Sequence, residues 1–343
     1  MKRFTLPRLI GVTAILGAVL VVVVVLAMGI GATQVPVLQT LFGSSGGSPE
    51  EALRAREILL GLRLPRILLA ALVGGALACS GATFQAVLRN PLADPYILGV
   101  SGGAALGAIA TAAFGLDRAP GGWALRPLAA FAGSASTIFL IFLLARLRGR
   151  ASNYPMLLTG VVVNAFFSAL ILFIITVADY TRFQQVFFWL VGNIEPPPWP
   201  TLAALAVALA GGFAVLYLLA GRMNLMSLGE EEARALGVDV NRVKRTAILV
   251  ASFVTAAAVS WSGLVGFVGL MVPHAVRLIW GPDHRILLPA CALGGAAFLV
   301  AADTGARTIM APIEMPVGII TAAIGAPFFL FLFQREKGGR YFD

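Results

Sequence analysis

Hydrophobic runs of about twenty residues recur along the whole chain, separated by short polar stretches. Ten of them lie near residues 9–32, 67–88, 94–114, 123–145, 154–178, 200–220, 245–262, 263–281, 286–305 and 313–333. A bilayer core about 30 Å thick takes roughly 20 apolar residues per helical span, so each run is long enough to cross. The eighth is the least regular, because Pro273, His274 and Arg277 fall within it. Barrel strands would show as alternating segments of about 10 residues. These runs are instead continuous stretches of Ala, Leu, Val, Ile and Gly. The pattern predicts an all-α integral membrane fold of about ten transmembrane helices, with residues 1–343 as a single transmembrane domain. The first run follows MKRFTLPRLI and exceeds the 7–15 apolar residues of a secretory signal core, so it reads as an uncleaved span.

One stretch breaks the pattern. Residues 229–245 read GEEEARALGVDVNRVKR. Ser227-Leu228-Gly229-Glu230 matches the Ser-x-x-Glu capping box that satisfies free amides at a helix start. Glu230, Glu231 and Glu232 then fall in a first turn, where the helix dipole favours negative charge. Gly237 suits the left-handed position that ends a helix, and Asp239 or Asn241 can cap a second one. The insert therefore reads as a short helix, a glycine turn and a second helix start, spanning about 227–241. The blander reading is a solvated connector between two spans.

Composition agrees with the spans and adds sidedness. Of 343 residues 59% are hydrophobic and 12% charged, with a mean hydropathy of +0.91, far outside soluble usage. The net charge of +9 is unevenly spread. With the N-terminus inside, 17 of the 25 Lys and Arg residues fall on the inner side and 8 on the outer. That bias follows the positive-inside rule and places both termini in the cytoplasm, as an even number of spans requires. The positive charge thus reports membrane orientation, and nucleic acid is no expected partner.

Between the spans, the outer loop at 33–62 holds GSSGGSPEEALRAR, a Gly/Ser turn followed by a charged helical piece. A second outer loop at 178–200 carries aromatics and prolines that predict a short interfacial helix and a stiff lead into the sixth span. Gly74 with Ala78, Gly103 with Gly107, and Gly325 with neighbouring Ala323 and Ala326 sit at helix-packing spacing. Lipid tails supply no hydrophobic drive between helices, so such small residues point to close backbone packing.

Candidate chemistry is sparse. Cys79 and Cys291 both lie within apolar spans, and His274 and His284 are isolated, so no disulfide framework, metal site or catalytic constellation is expected. The three lysines, Lys2, Lys244 and Lys337, end no Gly-x-x-x-x-Gly-Lys-Ser/Thr loop, which leaves the chain without a phosphate-binding loop of that kind. Asp94, Asp179, Glu195, Asp303 and Glu314 lie near span ends, and the span centres are nearly free of charge. A proton- or sodium-coupled secondary transporter, the main alternative, would place carboxylates at mid-depth.

Several blocks, in order, resemble the FecCD family, the permease subunits of type II ATP-binding-cassette importers for ferric siderophores, haem and vitamin B12. They are LRLPR (62–66), RNPLADPYILGVSGGAALGA (89–108), LGEEEARALGV (228–238), GLVGFVGLMVPHAVR (263–277), GPDHR (281–285) and PVGIITAAIGAPFFLFL (316–332). The resemblance implies a ten-span permease of the bacterial or archaeal cytoplasmic membrane. It implies a homodimer with a second copy of itself, two cytoplasmic ATPase subunits, and one periplasmic or lipid-anchored substrate-binding protein. This chain would bind no cofactor of its own, ATP and Mg residing on the ATPase. The ATPase-coupling element would comprise Ser227, Gly229, Glu230, Glu231, Glu232, Arg234, Leu236 and Gly237. Arg63, Arg66 and Arg307 would meet carboxylates on the binding protein, although interfacial arginines can also simply snorkel to headgroups. Asn90 and Leu92 would sit at one cytoplasmic gate, with Asn153 and Tyr154 at a second. A lining from spans three, five and ten, with Asn164 and Ser168 as polar points, is expected for a path that lets a bulky chelate slide.

Overall fold

The computed structural model describes residues 4–31, 49–96, 99–116, 124–147, 153–177 and 180–336, and every regular element among them is helical. The helices are α1 (Leu6–Gly29), α2 (Pro49–Arg56), α3 (Leu64–Leu88), α4 (Val100–Ala113), α5 (Leu125–Leu147), α6 (Asn153–Val177) and α7 (Tyr180–Val191). They continue with α8 (Trp199–Met226), α9 (Glu230–Ala235), α10 (Val240–Ser262), α11 (Val268–Trp280), α12 (His284–Thr308) and α13 (Val317–Glu336). A π-helical segment, Glu57–Arg63, joins α2 to α3 without a break. The Gly/Ser turn at 43–47 and Asp179 lie outside the described residues.

All ten predicted spans have a helical counterpart, and seven of these are long and apolar enough to cross a membrane. Of the other three, α13 has 20 residues with an apolar part of Val317–Leu332, and two are short. Helix α4 has 14 residues and α11 has 13, about 20 Å each at 1.5 Å per residue, against a layer of about 30 Å. The pattern over 94–114, 263–281 and 313–333 predicts helix throughout. Instead α4, α11 and α13 start only at Val100, Val268 and Val317, after irregular stretches.

Local sequence explains those delays. Pro91 and Pro95 cannot continue a helix, and Gly99 enters α4 with φ +72. Before α11 the chain passes Gly263 (φ +64) and Phe267 (φ +68), the latter an uncommon conformation for a bulky residue. Pro312 and Pro316 precede α13. The first irregular stretch re-enters the bundle: the Pro95 ring lies against Gly269 of α11, beside the Leu77 carbonyl midway along α3.

Helices α3 and α12 form the centre. Nearly all of α3 from Val73 to Phe84 is buried, including Ser80 and Thr83, whose hydroxyls donate to the Ala251 and Cys79 carbonyls. Close backbone approach makes this possible. A Cβ on Gly74 would collide with the Gly295 carbonyl, one on Gly81 with the Gly269 backbone, and one on Gly103 with the Gly133 carbonyl. The predicted spacing at Gly74 and Gly103 thus marks true contacts between α3 and α12 and between α4 and α5, whereas Gly325 faces the Phe267 ring and the α3–α11 contact falls on Gly81, outside the predicted set.

Gly211, in contrast, is a helical glycine on α8 with nothing within 4 Å of a built Cβ. Gly81→Ala should destabilise the protein by about 1–3 kcal/mol through overpacking. Gly211→Ala should be neutral or stabilising by up to about 1 kcal/mol through helix propensity. Thermal unfolding of both variants in one detergent or nanodisc preparation checks the opposite signs.

Candidate functional site

The polar insert projects from one end of the bundle. Helix α8 runs on to Met226, so Ser227 belongs to its final turn and donates its hydroxyl to the Asn224 carbonyl at 2.7 Å. The expected capping box therefore does not form. Gly229 (φ +147) stands at the N-cap of α9 with no side-chain cap, and the Glu232 carboxylate folds back over it. The rest of the predicted pattern is present: Gly237 is left-handed at φ +83, and the Asp239 carboxylate caps α10 by accepting from the Arg242 amide at 3.0 Å.

Two contacts stiffen this hairpin. Glu230 forms ion pairs with Lys244 of α10 and, at 3.4 Å, with Arg234 one turn along α9. Ala233, Val238 and Val240 are buried beneath. Facing outward are Glu231, Glu232, Arg234 and Gly237, with Leu228 and Leu236 about 60% exposed on either side. An exposed leucine is ordinary, but two framing a charged helix make a docking surface with an apolar centre and a polar rim. Leu228 was hidden in the sequence because it was counted into the cap.

Behind the hairpin lies a polar joint that the motif GPDHR did not reveal. The Asn224 side-chain Nδ2 donates to Asp283 at 2.7 Å, and its Oδ1 accepts from the His284 amide at 2.8 Å. Asp283 caps α12 through the Arg285 amide and pairs with the Arg285 guanidinium at 2.8 Å. That guanidinium lies 4.1 Å over the Phe4 ring, while Arg8 donates to the Trp280 carbonyl. The end of α8, the α11–α12 turn and the start of α1 are thereby tied together. Burial alone would raise the Asp283 carboxyl, but the hydrogen bonds from Arg285 and Asn224 outweigh it and hold the group below the usual carboxylate range.

At the opposite end two of the three predicted arginines, Arg66 and Arg307, share a buried acid. Arg66 reaches Asp303 at 3.0 Å and Glu314 at 2.7 Å, and Arg307 reaches Asp303 at 3.1 Å. Arg63 turns inward, donating to the Met28 carbonyl at the end of α1 at 3.0 Å, and lies within electrostatic reach of Arg307.

Between the two ends, the Asn90 side chain accepts from the Leu92 amide at 2.9 Å, a local turn that leaves Leu92 half exposed. Asn153 opens α6 with Tyr154 next, and their side chains lie outside the described residues. Asn164 packs its amide against Gly102 of α4, and the exposed Ser168 bonds back to the Asn164 carbonyl at 2.9 Å. The structure thus puts Asn164 at a helix–helix contact and Ser168 on the open face of α6. That face carries Leu158, Val161, Val162, Phe166 and Phe173, and α13 shows a matching stripe of Ile319, Ile324, Leu330 and Phe331. No group of three metal-binding side chains occurs among the described residues.

A family model described as the FecCD transport family matches residues 10–335. The chain belongs to that family. It is 47% identical over 292 residues to the cobalamin import system permease of Halobacterium salinarum, covering 85% of this chain and 76% of the relative. It is 40% identical over 339 residues to the hemin transport system permease of Yersinia pestis, covering 97% and 98%. Among solved structures it resembles a metal-chelate type ABC transporter in an inward-facing conformation, with a TM-score of 0.80, 32% identity, and coverage of 95% and 99%. Both the all-helical fold and the family resemblance read from the sequence are thereby established.

Within this family fold, the Asp283 joint offers a pH test. Its folded-state pKa lies below the unfolded value near 3.9, so its stabilisation is fully present above about pH 4 and lost as pH falls through the folded value. Asp283→Asn should lower the melting temperature at neutral pH, and the gap from wild type should close as pH drops below about 4, as read by scanning fluorimetry.

Proposed function

We propose that this chain is the membrane-spanning permease subunit of an ATP-driven importer that moves a metal chelate, of the ferric siderophore, haem or cobalamin class, into the cytoplasm. The observation that carries this reading is the braced hairpin at α9, a rigid handle with exposed Leu228 and Leu236, on a chain whose three lysines form no phosphate-binding loop. Such a body needs its work delivered from outside. In this reading two cytoplasmic ATPases seat the hairpin, and ATP with Mg is bound there and not on the permease.

The chain acts as a single transmembrane domain, and two copies pair with their termini in the cytoplasm of a bacterial or archaeal cell. The apolar faces of α6 and α13 enclose the path between them. Asn90 and Leu92, with Asn153 and Tyr154 opposite, narrow it near the ATPases. A periplasmic or lipid-anchored substrate-binding protein docks at the other end, where Arg66 and Arg307, backed by Arg63, meet its carboxylates. Closure of the ATPases pushes the hairpin, and the Asn224–Asp283 joint passes that displacement to α8, α12 and α1. Few polar groups face the path, which suits a bulky chelate that must pass without binding tightly.

Reconstitution in proteoliposomes tests the reading: uptake of cobalamin, haem or a ferric siderophore should require an added ATPase, a matching binding protein and ATP. Uptake driven by an ion gradient through this chain alone would overturn it. Leu228→Ala with Leu236→Ala should weaken ATPase binding about ten-fold or more if these are interface anchors. Replacing Glu231, Glu232 and Arg234 together should uncouple hydrolysis from uptake while the bundle stays folded, as seen from an unchanged melting temperature.

A further inference from the structure

The arginine cluster at the end opposite the hairpin is held in an unusual way. Asp303 is 1% exposed and serves both arginines: Oδ1 accepts from Arg66 Nη2 at 3.0 Å, and Oδ2 accepts from Arg307 Nε at 3.1 Å and from Arg66 Nε at 3.3 Å. Arg66 Nε is shared between Oδ1, at 3.2 Å, and Oδ2, so that with Nη2 on Oδ1 the Arg66 contact is bidentate and the plane of its guanidinium is fixed. What the fork leaves over is Arg66 Nη1, and that nitrogen is taken by Glu314 at 2.7 Å.

The two carboxylates are not equivalent. Asp303 is sealed within the bundle, whereas Glu314 is 53% exposed on the stretch between α12 and α13. An ion pair with one partner that open is weak enough to exchange readily. Ile309, Met310 and Ile313 beside it are each more than half exposed, an apolar border around a displaceable charge. Without Glu314, the largely buried Arg66 would leave its Nη1 amino group with no carboxylate partner.

We propose that Glu314 is an internal stand-in for the carboxylate of the docking protein: it occupies Arg66 in the resting permease and is displaced when a partner brings an Asp or Glu flanked by apolar side chains. Asp303 is the positioning residue that holds Arg66 and Arg307 ready for that exchange. The inference rests on the reading of this end as the docking face. Self-masking of this kind lowers affinity for any single acidic group and favours a partner that supplies apolar contact as well.

The test uses the complete chain in nanodiscs and the substrate-binding protein that supports uptake in the reconstituted importer. Glu314→Gln, an exposed and conservative change, should tighten binding about two- to five-fold at low ionic strength, the equivalent of the exposed pair it removes. Arg66→Ala should weaken binding. Unchanged or weaker binding by Glu314→Gln, with Arg66→Ala defective, overturns the masking and leaves the docking face intact. Full binding by Arg66→Ala overturns the docking face itself.

Discussion

Every part of this structure answers to one constraint: a backbone N–H or C=O inside an apolar layer must find a partner within the protein. An unpaired group there costs several kcal/mol. Three helices nevertheless begin inside the bundle, and the irregular stretches before them converge on one junction. Tyr96 uses a single hydroxyl twice, donating to the Val265 carbonyl at 3.0 Å and accepting from the Val265 amide at 3.1 Å. The Leu264 amide donates to the Trp189 carbonyl at 3.3 Å, and the Asn193 amide to the Ser262 carbonyl at 2.9 Å. Gly318 at the start of α13 closes the set by donating to the Gly192 carbonyl. The loop after α3, the end of α7, the break after α10 and the start of α13 are thus held to one another by main-chain groups that have nowhere else to go.

That junction joins the proposed gate and the proposed path. The stretch carrying Asn90 and Leu92 ends at Tyr96, and the apolar face of α13 starts one residue before Gly318. A displacement at either place must be carried through the other or leave amides unpaired. The close glycine contacts of α3 with α11 and α12 supply the opposite property, a centre too tightly packed to deform. The polar joint of Asn224, Asp283 and Arg285 connects the hairpin, through the end of α8, to the start of α12, one helix of that rigid centre.

Legibility in the sequence followed the range of the interactions. The ten spans were readable because twenty apolar residues in a row is a local property. Gly237 and Asp239 were readable because turn and cap chemistry acts over three or four residues. Ser227 was misread for the same reason: its local pattern fits a cap, and only the extension of α8 to Met226 assigns its hydroxyl elsewhere. The late starts of α4, α11 and α13 could not be read from hydropathy, since irregular apolar backbone has the same composition as helix. Arg63, Arg66 and Arg307 are identified by resemblance; Asp303 is local to Arg307, four residues before it on α12, but Met28 lies 35 residues from Arg63, and Asp303 and Glu314 lie 237 and 248 residues from Arg66.

The sequence by itself determined the class of the protein, the number of apolar spans, the charged insert and the family, because each is written in composition, periodicity or contiguous motif. Only the tertiary structure decided which leucines face outward, where helices begin at depth, and how one buried carboxylate holds two arginines while an exposed one covers the third donor. Those outcomes depend on which helices are neighbours, and helices that pack through small residues carry almost no trace of their partner in their own sequence.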